Sequence, residues 1–287
     1  MEIRDVRFPL ARNEHAGWKD TLKAGLGSML ATFMSERAAQ LAEGKVADDL
    51  GLADRLLVAG LVRRHERQGT LDQLNGLHDW LWSSRQAVAF HEQAQARFQS
   101  WWLDTHSAVV APLIDELSRV PGRYSTLCEI GCGSGLVLDD LSRRLPQLER
   151  FIGLDLSPEQ IERNRQRYAD SPRLQFDSGD ALAWLQTRAR PGWVYFSNAG
   201  VLEYFPEPKL RKLLLQAAGT GTAAFAIVEP VDRGHDLALQ TASINYGTER
   251  SWSHNYPHLF RDCGYQLRWQ QELEFAGLRW QLLVAAV

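Results

Sequence analysis

The chain has 287 residues, 45% hydrophobic and 23% charged, the balance of an ordinary soluble protein that buries a full core. Its 32 basic and 35 acidic side chains leave a net charge of -3, which argues against a broad field for nucleic acid or an anionic membrane. Three cysteines, Cys128, Cys132 and Cys263, leave one unpaired and none in C-x-x-C spacing, so neither a disulfide framework nor a metal site is expected.

The N-terminal MEIRDVRFPL lacks the apolar core of a signal peptide, and no apolar run approaches the roughly 20 residues of a membrane span, so a cytoplasmic setting is expected. Residues 1–26 hold few apolar anchors and read as an arm. From Gly27 to Arg119 the signal is helical: Met29, Leu30, Phe33, Met34 and Leu41 recur at helical steps, as do Leu52, Leu56, Leu57, Leu61 and Val62. The basic run Arg63-Arg64-His65-Glu66-Arg67, interrupted by Glu66, reads as the solvated face of such a helix. Thr70 and Asp72 open a further amphipathic stretch. The longest helix is expected from about Ser84 to the neighbourhood of Pro112, where proline would end or kink it. Its stripe of Phe90, Ala94, Phe98, Trp101, Trp102, Thr105 and Val109 has the spacing of a core face. It also ends just before the next strand, and adjacent elements usually lie together in space.

The stretch from Tyr124 to Asp140, YSTLCEIGCGSGLVLDD, organises the rest. Thr126 to Ile130 reads as a buried strand, Gly131 to Gly135 as a glycine-rich turn, and Leu136 to Leu145 as a helix starting on it. Glycines let backbone N–H groups approach a ligand closely, because no Cβ intervenes. The dinucleotide fingerprint needs a third glycine where Leu136 stands. The pattern is instead Glu129-x-Gly131-x-Gly133-x-Gly135, and a carboxylate at the strand end suits a cationic ligand better than a pyrophosphate.

This stretch resembles motif I of the class I S-adenosylmethionine-dependent methyltransferases, and the resemblance extends over most of Tyr124 to Val287. It implies an α/β fold, a Rossmann-like seven-stranded sheet with a helical N-terminal extension, divided as a lid and substrate region over 1–120 and a cofactor domain over 121–287. It implies S-adenosylmethionine as cofactor, held by Glu129, Gly131, Gly133 and Gly135. Phe151 to Leu154 reads as the second strand. Asp155 follows it, where an acidic residue accepts both ribose hydroxyls, with Leu156 beside it; the structural alternative is a cap for the helix that Ser157-Pro158-Glu159 begins. Leu174 to Ser178 is the third strand. Asp180, with Ala181, then matches the position the family sets against adenine, though Asp180 also suits a helix cap.

Trp193 to Asn198 reads as the fourth strand, Ala223 to Val228 as the fifth, and Gly264 to Glu272 with Arg279 to Ala286 as a closing antiparallel hairpin. Tyr204 stands where many relatives carry a histidine, and a phenol titrates roughly three to four units higher. The polar, aromatic insertion from Asp232 to His258 leaves from a strand's carboxyl end, the side on which open α/β sheets place ligands. His254 and His258 are separated by Pro257 with no third ligand evident, so substrate contact or proton transfer suits His254 better than metal binding.

Methyl transfer requires a nucleophile held about 3 to 3.5 Å from the methyl carbon, with its proton removed or oriented. Asn198, Tyr204 and His254 are the catalytic candidates, Asn198 also counting among the cofactor contacts, and Trp102, His106, Tyr195 and Tyr256 are the substrate-contact candidates. The implied activity is transfer to O or N of a small molecule. One alternative on the same fold is intramolecular cyclisation of S-adenosylmethionine to azetidine-2-carboxylate and methylthioadenosine, which suits polar acceptors and aromatic walls. A third is a non-catalytic module that binds the cofactor. Asn198 is followed by Ala199-Gly200, so the asparagine-proline-proline-aromatic signature of DNA and protein amide methyltransferases is missing.

Overall fold

The computed structural model describes residues 18–46, 50–92 and 94–287, so the expected N-terminal arm lies outside the described residues up to position 17. From Trp18 the chain is helical, earlier than its composition suggests. Contacts divide it into two compact units: one runs to Ala87 and takes in Asn245–Ser251, and the other comprises Val88–Ile244 and Trp252–Val287.

The first unit holds α1 (Trp18–Phe33), α2 (Ser35–Ala42), α3 (Leu52–Gln68), a 3-10 turn over Leu71–Leu74 and α4 (Asn75–Ser83). Leu41, Leu57, Leu74 and Leu77 form its core, each fully buried. Helices α1 and α3 cross at glycines. A Cβ on Gly60 would lie 2.2 Å from the Gly27 carbonyl carbon, and one on Gly27 would lie 1.8 Å from the Leu56 carbonyl oxygen. Side chains on either face would hold the two backbones apart.

The expected long helix is broken into α5 (Arg85–Glu92), α6 (Ala94–Arg97), a π-turn over Phe98–Leu103, a 3-10 turn over His106–Val109 and α7 (Val110–Arg119). Pro112 neither ends nor kinks it. It lies in the first turn of α7, where a missing N–H costs nothing because those N–H groups have no helical partner. The compact units divide at Ala87 and Val88, and Trp102, Val109, Val110, Leu113 and Leu117 bury against the sheet.

The second unit is built on seven strands: β1 (Thr126–Ile130), β2 (Arg150–Asp155), β3 (Leu174–Ser178), β4 (Trp193–Asn198), β5 (Ala223–Val231), β8 (Gln266–Phe275) and β9 (Leu278–Ala286). Their order is β3-β2-β1-β4-β5-β9-β8, with β1 to β5 parallel and β9 antiparallel to both neighbours. β5 runs three residues past its expected end, carrying Glu229 and Pro230 into the sheet beside β9. Alternation splits β4 between the faces. Val194 and Phe196 join α7 and α8 (Leu136–Arg144), while Trp193 and Tyr195 join α10 (Ala181–Arg188), α11 (Glu207–Ala218) and α12 (Tyr256–Asp262). Between β2 and β3 lies α9 (Pro158–Arg167), capped by Ser157. The insertion contains the short strands β6 (Ile244–Tyr246) and β7 (Ser251–Ser253).

Candidate functional site at the carboxyl ends of the parallel strands

The glycine turn leaves β1 with Gly131, Gly133 and Gly135 all at positive φ, +72°, +47° and +74°. At these angles a side chain is strained, which explains the residue type before any ligand is invoked. The Gly131 and Cys132 N–H groups donate to the Leu154 carbonyl at 2.8 and 3.1 Å, tying the turn to β2. Asn164 donates to the Gly133 carbonyl at 2.7 Å and Tyr168 to that of Ser134 at 3.2 Å, so α9 fixes the outer side.

Asp155 at the end of β2 accepts from the Gly133 N–H at 2.9 Å through Oδ2 and from the Ser157 N–H at 3.0 Å through Oδ1. It therefore couples the turn to the start of α9, and each oxygen keeps lone-pair capacity for a hydroxyl. Leu156, half-buried, follows it. The helix cap is Ser157 rather than Asp155: its hydroxyl accepts from the Gln160 N–H at 3.2 Å. Glu129, three residues before Cys132, is buried with Oε2 lacking a hydrogen-bond partner among the described residues. Burial, and then the nearby charge of Asp155, push its carboxyl well above the usual range. Two buried carboxylates beside one glycine turn suit a ligand that brings positive charge. The residues thus fit S-adenosylmethionine, which carries an ammonium and a sulfonium as well as ribose hydroxyls. The imidazole of His91 on α5 lies over the same turn: a Cβ on Gly133 would sit 2.8 Å from its Nδ1. Burial lowers the His91 pKa and the Asp155 charge opposes this. Its single position in a polar helix leaves no sequence signal for this placement.

Asp180 is the N-cap of α10: Oδ1 accepts from the Ala183 N–H at 2.9 Å, and Oδ2 pairs with Lys209 at 2.9 Å. Asp180 thus serves as the helix cap, with Ala181 buried in the first turn.

Asn198 ends β4, two strands from Asp155 and therefore about 10 Å away along the sheet edge. Its Oδ1 lies 2.9 Å from Nδ1 of His106, which the 3-10 turn before α7 brings over the edge. His106 is fully buried among Trp280, Trp101 and Phe275, with ring centroids at 4.4, 5.8 and 6.1 Å. Burial lowers its pKa to about 4, opposed by the Asn198 bond, so the ring is neutral near pH 7. Beyond Asn198, Ala199 and Gly200 take positive φ, and Glu229 clamps the loop. Glu229 accepts from the Val201 and Leu202 N–H groups, each at 3.0 Å, and bonds Ser197 Oγ. Burial pushes its carboxyl up to about 8. Of the expected residues, Asn198 and His106 come together here, and Trp101, Trp280 and Phe275 join them.

Others stand apart. Trp102 packs in the core: its indole N–H donates to Asp140 at 2.7 Å and its ring packs edge-on against Phe196. Helical geometry turns it inward where neighbouring Trp101 faces the aromatic group. Tyr195 is likewise core, fully buried and stacked on Phe225, because an odd step along β4 puts it on the face opposite Phe196. Tyr256 opens α12 and is fully buried in that same core. Tyr204 closes the 3-10 turn Leu202–Tyr204, nearly buried. His254 is fully buried and bonds Ser243 Oγ at 2.7 Å, and Ser243 Oγ in turn donates to Glu207 at 2.7 Å. Burial lowers its pKa to about 4, and the arrangement fastens the insertion to α11. His254 precedes the α12 cap Asn255, so it does not share a helix face with His258. Among the described residues no His, Cys, Asp and Glu cluster could hold a metal, and no helix is long and apolar enough to cross a membrane.

The family model for a methyltransferase domain matches residues 127–228, from inside β1 to the middle of β5. Among curated proteins none matches the sequence. Similar solved structures include magnesium protoporphyrin IX methyltransferase from Synechocystis PCC 6803 with bound S-adenosylhomocysteine, at 15% identity and TM-score 0.45 over 63% of this chain and 82% of that one. The N-methyltransferase NodS from Bradyrhizobium japonicum WM9, in complex with S-adenosylhomocysteine, aligns at 17% identity and TM-score 0.45 over 64% and 85%. The [4+2]-cyclase SpnF aligns at 13% identity and TM-score 0.45 over 63% and 80%. Over residues 127–228 the chain therefore resembles the methyltransferase domain family.

Proposed function

We propose that the protein transfers the methyl group of S-adenosylmethionine to an oxygen or nitrogen of a small molecule. The observation that carries this reading is the His106–Asn198 pair, held at 2.9 Å at the end of β4 and walled by Trp101, Phe275 and Trp280. A buried aromatic group of this kind suits contact with a small acceptor better than with a polymer. In this reading Glu129, the glycine turn and Asp155 hold the cofactor, which supplies an electrophilic methyl carbon. The segment from Val88 to Arg119 forms the wall and excludes water. Three unpaired buried cysteines suit a reducing, cytoplasmic setting.

The same rings favour a second reading, cyclisation of S-adenosylmethionine, because aromatic faces attract a sulfonium by about 0.5 to 2 kcal/mol. One experiment separates the two. The protein is incubated with S-adenosylmethionine alone and then with a cell metabolite extract, and the nucleoside products are followed by mass spectrometry. Adenosylhomocysteine appearing only with the extract supports methyl transfer, and methylthioadenosine from the cofactor alone supports cyclisation. Binding without either product overturns both.

A further inference from the structure

We propose that His106 is the general base of the transfer and that Asn198 is its positioning residue. This rests on the cofactor reading above and adds the atom that takes the proton. Asn198 Oδ1 only accepts, so the 2.9 Å contact puts a hydrogen on Nδ1 of His106. In a neutral imidazole Nε2 then carries the lone pair. Nε2 is buried and has no hydrogen-bond partner among the described residues. An acceptor buried without a donor is costly as scaffolding, and a side chain kept only for packing would do better without it. The neighbouring Trp280 spends its indole N–H on the Phe275 carbonyl at 3.1 Å.

In the step, the acceptor's oxygen or nitrogen attacks the methyl carbon and a C–O or C–N bond forms. The C–S bond breaks, and its electron pair stays on sulfur as a neutral thioether. The acceptor's proton passes to Nε2 of His106, so the positive charge that left the sulfur ends on the imidazole. Asn198 acts through His106 by keeping the hydrogen on Nδ1 and the ring in one orientation. Of the other buried histidines, His78 bonds the Glu249 carbonyl, His235 bonds Ser253 and His254 bonds Ser243, and none of them pairs with Asn198 at the end of β4.

The test has two arms on the full chain. In the first, imidazole nitrogens are labelled with 15N and read by NMR, with the His106 signal identified as the one missing from His106→Gln. The expected result is an Nδ1–H tautomer in the wild type whose preference is lost in Asn198→Ala. An Nε2–H tautomer, or no change in Asn198→Ala, overturns the proposal. In the second, product release from S-adenosylmethionine with the metabolite extract is expected to fall about 100-fold or more in His106→Gln. Calorimetric affinity for adenosylhomocysteine is expected to stay near the wild-type value. An undiminished rate overturns the base and leaves the cofactor reading standing. A wild-type protein that does not bind adenosylhomocysteine overturns the cofactor reading itself.

Discussion

The helical unit and the sheet unit solve the burial problem differently. The helical unit relies on close backbone approach, with Gly27 against Gly60 and Gly44 against Gly76, around a core of leucines. It leaves Leu22, Leu26, Met29 and Phe33 of α1 exposed. The sheet unit buries large side chains on both faces and gathers buried polar groups, Glu129, Asp155, Glu229 and His106, along the carboxyl ends of its parallel strands. Packing alone explains the first arrangement. Polar groups buried at one edge cost stability unless they are hydrogen-bonded or meet a ligand, so the second points to chemistry.

Acid titration gives the largest expected effect. His78 in the helical unit, and His106 and His254 in the sheet unit, are each lowered to about 4 by burial, from an unperturbed 6.5. A depressed folded pKa means that the unfolded chain binds the proton first. Each imidazole's contribution is therefore full above about 6.5 and is lost as pH falls through 4. Denaturation midpoints should drop steeply across that window, and a flat profile would show that the imidazoles are solvated. Glu229, raised from 4.5 to about 8, acts in the opposite sense: its contribution is lost as pH rises through 8, and Glu229→Gln should remove that limb.

Next comes the glycine crossing. Gly60→Val places a branched side chain where the Gly27 backbone lies and should cost about 3 kcal/mol by denaturant unfolding. Gly51→Val, at a position with open space around it, serves as the control. Equal losses at the two sites would remove the close-approach argument.

Asp155→Ala tests the sheet edge. Loss of charge-assisted bonds should weaken adenosylhomocysteine binding by about 1.5 to 3 kcal/mol, read by calorimetry. Unchanged affinity in the folded variant would contradict the ribose role. The smallest effect is expected on the exposed face of α1: Leu26→Gln with Met29→Gln should shift stability by no more than about 0.5 kcal/mol. A larger loss would mean that this face is covered in solution.

The strands were the most legible part of the chain. β1, β3 and β4 match their expected bounds because apolar runs bracketed by glycine and polar turns are local signals. The segment before β1 was the least legible. Its stripe of aromatic positions has helical spacing, yet the chain breaks into a π-turn and a 3-10 turn so that Trp101, Trp102 and His106 meet different partners. Periodicity reports a repeating face, and here each residue answers to a different wall. Asp180 illustrates a true ambiguity, since the same carboxylate satisfies either a helix cap or an adenine, and only the position of Lys209 beside it weights the choice.

By itself the sequence determined the glycine turn, the acidic residues flanking it and the alternation of strands and helices, because each depends on residues close together in the chain. Only the tertiary structure decided that His106 and Asn198, 92 positions apart, share a hydrogen bond, and that Tyr195, Trp102 and Tyr256 belong to the core. Side-chain direction depends on which face an element buries, and that is settled by what packs against it.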